Sequence, residues 1–314
     1  MSAKRARTLD EALDVLDVVP LDFSGKPSSP ASDPAFYTEL PPPDHEDLPG
    51  AGLAERLRMS LLGRMGPARL FLSGHVGSGK STQINRLAED EKINEAFTVI
   101  VLRVEPHLAP FLDGAQILFL MAGALFDRGK QLGLLKEGAR WEKSLRALDA
   151  RLNGDSGIIP REGKTIAEFS LLFAKVSQEL QFSVHRRRQF RELGETQETL
   201  FIDILNAITL DITASLSERG SARSPLLLID DLDKVRGPEQ QTDIYETNLG
   251  ALLRVPFSVL YTVPTGVALG SNRPELRRTI EHLYPLRVLD KAPLSFDAER
   301  AFIPGSDAYF RDVL

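Results

Sequence analysis

The most constraining feature of this chain is the run Arg69-Leu-Phe-Leu-Ser-Gly-His-Val-Gly-Ser-Gly-Lys-Ser-Thr82. An apolar stretch, Leu70 to Leu72, ends in Gly74-x-x-x-x-Gly79-Lys80-Ser81, and the apolar-periodic segment Ile84 to Leu87 follows. Glycines, a lysine and a hydroxyl at these spacings, between a strand and a helix, are what a phosphate-cradling turn requires. Gly74, Gly77 and Gly79 let the backbone turn tightly, so that successive N–H groups face a polyphosphate. The binding segment predicted on this basis is Gly74, His75, Val76, Gly77, Ser78, Gly79, Lys80, Ser81 and Thr82. A helix opening near Lys80 adds its positive end. Lys80 supplies a point charge for the β- and γ-phosphates, and the Ser81 hydroxyl is placed to ligate Mg²⁺. A glycine-rich hairpin is the competing reading, but four fixed positions between a strand and a helix argue against it. The expectation is a nucleoside triphosphate site.

A second motif complements the first. Leu226-Leu227-Leu228-Ile229-Asp230-Asp231-Leu232-Asp233 is an apolar strand that ends in carboxylates. Asp230, at the strand tip, is placed to hold the Mg²⁺ shell through water. A neighbouring carboxylate can polarise the attacking water; Asp231 is the first candidate and Asp233 the second. An acidic turn or helix cap is the alternative for such a run. Its occurrence downstream of a phosphate loop favours the metal-binding reading.

Around these motifs the chain reads as α/β. Predicted strands are Ala68–Ser73, Phe97–Val104, Pro225–Ile229, Phe257–Val263 and about Leu286–Leu289, the second rich in β-branched residues as a buried parallel strand would be. Helices are expected over Gly52–Arg64, from the phosphate loop to about Glu91, and throughout 113–219. Within that last stretch apolar stripes run Leu145/Leu148/Leu152, Phe169/Leu172/Phe173/Val176/Leu180 and Phe201/Ile204/Leu205/Ile208/Ile212. Strands alternating with helices imply right-handed crossovers, a parallel sheet and ligands at the strands' carboxyl ends. The division expected is 1–50, a short helix with a capping box at Thr8-x-x-Glu11 followed by a proline-rich linker; 51–294, the core; and 295–314, the start of a lid or helical segment. Eight prolines between Pro20 and Pro49 make the linker an extended tether or a wrap over the surface, with Phe36 and Tyr37 as local anchors. The terminal helix either docks a partner or packs on its own core.

Composition narrows the options. A net charge of −6 gives no overall attraction to nucleic acid or anionic lipid. The absence of cysteine excludes disulfides, thiolate metal sites and a cysteine nucleophile. The first 30 residues lack the apolar core of a signal peptide, and the longest apolar run, Ile117 to Phe126, is too short to span a bilayer. A cytoplasmic protein without membrane contact is expected.

Taken together, the phosphate loop, the apolar–Asp-Asp-Leu-Asp stretch and a fourth strand ending in a polar Thr resemble the AAA+/STAND group of P-loop ATPases, over about residues 52–294. The Asp-Asp-x-Asp pattern is similar to that of STAND and NACHT proteins and of the origin-recognition clade. The resemblance implies a five-stranded parallel P-loop sheet of order 5-1-4-3-2 flanked by helices, with a helical insertion between strands two and three. It implies Mg-ATP as ligand and an ATPase, slow in turnover, whose nucleotide state controls homo-oligomerisation or partner binding in a bacterial defence (antiviral) or signalling system. Thr262 or Thr265 falls where that group places its sensor-1 residue, and Arg273, Arg277 and Arg278 where it places an arginine finger, with Arg278 taken into the candidate site. The chain departs from the group after strand five: no lid arginine or histidine has a clear counterpart, which weakens the expectation of efficient hydrolysis.

One run lies outside these motifs, His185-Arg186-Arg187-Arg188-Gln189-Phe190-Arg191. It reads either as a phosphate-backbone patch, supporting a nucleic-acid-coupled ATPase, or as the solvated C-terminal end of a helix over 165–191, where cations suit the dipole. The second reading is preferred on bulk charge. A small-molecule P-loop kinase would need an arginine-rich lid and an acceptor pocket, neither of which is evident.

Overall fold

A computed structural model describes residues 53–74, 78–154, 159, 166–270 and 280–283. The architecture is α/β: a parallel sheet flanked on both faces by helices. In chain order the elements are α1 (Leu53–Leu62), β1 (Arg69–Gly74), α2 (Lys80–Glu89), α3 (Glu91–Ala96) and β2 (Phe97–Arg103). Four long helices follow, α4 (Gly114–Gln131), α5 (Arg140–Asn153), α6 (Ile166–Phe182) and α7 (Val184–Glu218). Then come β3 (Ser224–Asp230), α8 (Pro238–Thr242), a π-helical turn (Asp243–Thr247), α9 (Leu249–Leu253), β4 (Ser258–Val263), α10 (Thr265–Gly270) and β5 (Ile280–Leu283). The strands lie in the order β2-β3-β4-β1-β5, each parallel to its neighbours. All carboxyl ends therefore share one edge, and Gly74 and Asp230 both terminate there.

Side chains alternate across the sheet, as strand geometry dictates. Leu70, Leu72, Leu226, Leu228 and Leu260 point to one face and pack under α1 and α2 through Leu57, Leu61, Ile84 and Leu87. Phe71, Leu227, Ile229, Val259 and Tyr261 point to the other, where α4–α7 build a larger core. That second layer is aromatic: Phe126 meets Trp141 edge-on at 5.1 Å, Trp141 meets Phe169 at 5.0 Å, and Phe119 meets Phe190 at 5.2 Å. Edge-to-face pairs at these separations are favourable beyond the area they bury. Asp113 starts α4 by accepting from the Gln116 N–H, and Gly114 follows because a Cβ there would lie 2.3 Å from the Cβ of Asn248.

Two expectations are corrected. The helix expected over 165–191 ends at Phe182. Ser183 adopts an extended conformation and its hydroxyl accepts from the Arg186 N–H, capping a new helix. The arginine run therefore lies in the first turns of α7, not at a helix C-terminus. The fifth strand is Ile280–Leu283, upstream of Leu286–Leu289, which lies outside the described residues. The N-terminal helix, the tether, residues 284–314 and the arginines Arg273, Arg277 and Arg278 also lie outside them.

Within α7, Thr196–Glu218 has the length and apolarity of a membrane span, yet half of it is buried inside the protein. Its stripe Phe201/Ile204/Leu205/Ile208/Ile212 is spent on the helical core.

Candidate functional site

The phosphate loop joins β1 to α2. His75, Val76 and Gly77 lie outside the described residues, but both ends are defined. Gly79 has φ 87°, a left-handed conformation that a side chain resists, and α2 begins at the next residue. The first-turn N–H groups of a helix have no partner within it, so those of Lys80, Ser81 and Thr82 stand at the sheet's carboxyl edge.

Lys80 is buried, with only 6% of its surface exposed. Its ammonium donates to the Gly74 carbonyl at 2.7 Å and pairs with Asp233 at 3.0 Å. The Ser81 hydroxyl donates to Asp230 Oδ1 at 3.0 Å, across from α2 to the tip of β3. The fold thus brings together two motifs separated by 149 residues. Burial pushes the Asp230 carboxyl above the ordinary range, and the adjacent Asp231 charge adds to this, while the Ser81 hydroxyl opposes it.

The turn after Asp230 separates the next two carboxylates. Asp231 has φ 66°, the one described non-glycine residue in the left-handed region. Its N–H donates to Asp230 Oδ1 at 2.9 Å, and its carboxylate pairs outward with Lys234 at 2.8 Å. Asp233 is instead turned inward to Lys80. Thr262, fully buried at the end of β4, accepts from the Leu232 N–H at 3.0 Å and the Asp233 N–H at 3.4 Å. Its hydroxyl holds the acidic turn. Thr265 opens α10, half-buried.

Tyr245, in the π-helical turn, carries no recognisable motif and was not singled out by sequence. Its hydroxyl, completely buried, reaches the Thr262 carbonyl at 3.4 Å. Desolvation raises its ionisation well above the usual value, with the Asp233 charge reinforcing this, so it stays a neutral donor. A π-turn often marks a functional site.

The residues fit a nucleotide and Mg²⁺. Magnesium is commonly held by one or two carboxylates together with phosphates and water. The Ser81 hydroxyl and the Asp230 carboxylate, 3.0 Å apart, are the protein's contribution to such a set, with phosphate and water supplying the rest. Among the described residues no group of three or more His, Asp or Glu could hold a metal without other ligands. The Ser78 hydroxyl, in the same loop, is buried without a hydrogen-bond partner, a polar atom that a phosphate oxygen would satisfy.

The arginine run has a different role. Arg186 donates to the Leu152 carbonyl at 2.8 Å and pairs with Glu179 at 2.6 Å. Arg187 donates to the Leu180 and Gln181 carbonyls and lies over the Phe111 ring, 4.1 Å from its centroid. These two cations satisfy the C-terminal carbonyls of α5 and α6. Arg188 is exposed and pairs with Glu192.

In comparisons with protein-family models and with curated proteins, no family model and no curated protein matches the chain.

Proposed function

We propose that this chain is a Mg-ATP-binding ATPase of the AAA+/STAND type, with turnover slow relative to binding, whose nucleotide state controls assembly with itself or with a partner protein. The observation that carries the reading is the Ser81–Asp230 contact at 3.0 Å beside the buried Lys80. Two motifs chosen for their chemistry meet where a parallel sheet offers its carboxyl edge to ligands. The parallel α/β sheet supports the reading, and with Ile280–Leu283 taken as its fifth strand the order β2-β3-β4-β1-β5 is compatible with the 5-1-4-3-2 arrangement that the resemblance implies.

Ser81 and Asp230 would hold the metal, and the amides of Ser78 to Thr82 with Lys80 would hold the phosphates. Bound Mg²⁺ would neutralise phosphate charge and polarise the bond to be broken. The partners of Lys80 include Gly74 and Asp233, and to serve a phosphate it must give up at least part of this pairing. Losing Asp233 leaves a nearly buried carboxylate without its counter-charge, a condition that favours accepting a proton from water. Asp233 is therefore the better base, and Asp231, paired outward with Lys234, the lesser. Thr262 and Tyr245 would keep the Asp233 turn in place.

A role in bacterial defence or signalling follows from the resemblance, whereas the cytoplasmic setting rests on the sequence reading alone. Coupling to nucleic acid draws no support from the arginine run, whose Arg186 and Arg187 are engaged within the fold. Equilibrium titration of the full chain with ATP, with Mg²⁺ and with chelator, tests the site: metal-dependent saturation is expected, and no saturation in either condition rejects it. Light scattering with ADP and with a non-hydrolysable ATP analogue tests the switch. A difference in mass or in captured partner is expected, and identical behaviour across nucleotides rejects control of assembly.

A further inference from the structure

A groove of about 910 Å³ lies alongside β2, and none of the candidate-site residues lines it. Among the described residues β2 is an edge strand, hydrogen-bonded to β3 on one side only. An edge presents a row of unpaired N–H and C=O groups, and natural proteins cover or guard such rows. Here the row runs along the groove floor at Val99, Val101 and Leu102, and Val101 is 38% exposed. Ala88 and Asn94 form one wall, and Leu120, Ala124 and Phe173 the other. The Nε of Arg128, also in the lining, is buried and makes no hydrogen bond. Walls that mix apolar side chains with polar ones such as Asn94 and Ser170, an open strand edge and an unsatisfied cationic donor together describe a seat for an extended peptide carrying an acceptor.

We propose that the occupant is this chain's own Ala35-Phe-Tyr-Thr-Glu-Leu40, laid along β2 as an added strand. The described structure begins at Leu53, and α1 is tied to the same side of the molecule by Arg58, which pairs with Asp90 at 3.1 Å. Asp90 directly follows Glu89, another residue of the groove lining. Residues 41–52 can span up to about 40 Å when extended, enough to reach the groove from α1. The segment is framed by Pro34 and Pro41, which suit strand ends and oppose helix. Between them Phe36, Tyr37 and Thr38 are strong strand formers, and Glu39 offers the carboxylate that Arg128 lacks. The tether would thereby shield the sheet edge and deliver residues 1–34 to a fixed side of the core.

The cysteine-free chain allows a direct test. In the full-length protein Ala124→Cys is combined with a single cysteine placed in turn at each position from 35 to 40, and with Ser2→Cys as a control. After mild oxidation, intrachain disulfide is read by mass and by non-reducing gel. The expected result is alternation, with every second position linking about tenfold faster than the control, because a seated strand presents alternate residues to one wall. Uniform yields no higher than the control overturn the proposal. Disulfide-linked dimers in place of intrachain bonds also overturn it, and assign the groove to a second copy. A readout that needs no cysteine is hydrogen exchange of the full chain carrying Phe36→Asp and Tyr37→Asp. Faster exchange at 98–102, with exchange in β4 unchanged, is expected; unchanged exchange at 98–102 contradicts the proposal.

Discussion

The two faces of the sheet are built from alternate residues of the same strands, yet they do different work. One face carries four long helices whose rings, from Phe119 through Trp141 to Phe201, interlock in a wide apolar core. The other is covered by the short helices α1, α2 and α3, fastened through Leu57, Ile84, Leu87 and Ile93. The candidate site lies at the end of the thin layer, since α2 presents Lys80 and Ser81 from its first turn. The larger apolar core lies behind the sheet, and under the proposed function the groups that exchange partners stand on the lighter layer. If, as proposed, Lys80 leaves Asp233 for a phosphate, that exchange is easier there than in a core of interlocked rings.

The largest effect should come from the thick layer. Trp141 is fully buried, so Trp141→Ala should destabilise the fold by about 3–5 kcal/mol. Denaturant titration measures this, and a loss below about 1 kcal/mol would remove the contrast between the faces. Gly114→Ala should cost about 1–3 kcal/mol by forcing Asn248 aside, which the same titration reads.

A pH effect comes next. Burial raises the Asp113 carboxyl to about 7, and the neighbouring Asp243 charge adds to this, while the Gln116 N–H and Arg191 oppose it. A carboxyl whose folded value is raised binds more protons in the native state than in the unfolded chain. Stability should therefore fall as pH rises, across the window from the ordinary carboxylate range up to about 7 and just beyond. The part between pH 6 and 8 should be about 1 kcal/mol, and Asp113→Asn, which keeps a capping oxygen, should flatten it. Equal slopes in the two proteins would contradict this. The smallest effect belongs to the surface pair: Lys234→Ala should change stability by about 0.5 kcal/mol or less, since exposed pairs contribute little.

The parts legible in sequence were those where chemistry restricts the residue. Gly79 is needed for its left-handed backbone, and an apolar run ending in Asp230 marks a buried strand with a polar tip. The helical stripes over 145–212 were legible for the same reason, as burial selects for periodicity. What escaped depends on tertiary partners. Ser183 breaks a helix with a cap that lacks the Glu or Gln three residues on that usually advertises one, so the apolar pattern read straight through. Arg186 and Arg187 looked like a solvated run because the carbonyls they satisfy come from elements up to 34 residues away. Asp231 and Asp233 were indistinguishable by spacing, since the φ of 66° at Asp231 decides which faces Lys80. Tyr245 gave no signal, being placed by a π-turn. Leu286–Leu289 reads as the stronger strand of the two because three of its four residues are apolar, against two in Ile280–Leu283, where Glu281 and His282 interrupt the pattern.

The central claim is that the thin layer grips a triphosphate through the lysine at the start of α2. Calorimetric titration of Mg-ATP into the wild type and into Lys80→Ala, each first shown to be folded by circular dichroism, tests it directly. A loss of about 100-fold or more in affinity, roughly 3 kcal/mol, is expected from removing the buried ammonium. Equal affinities in the two proteins would contradict the claim and take the proposed function with it.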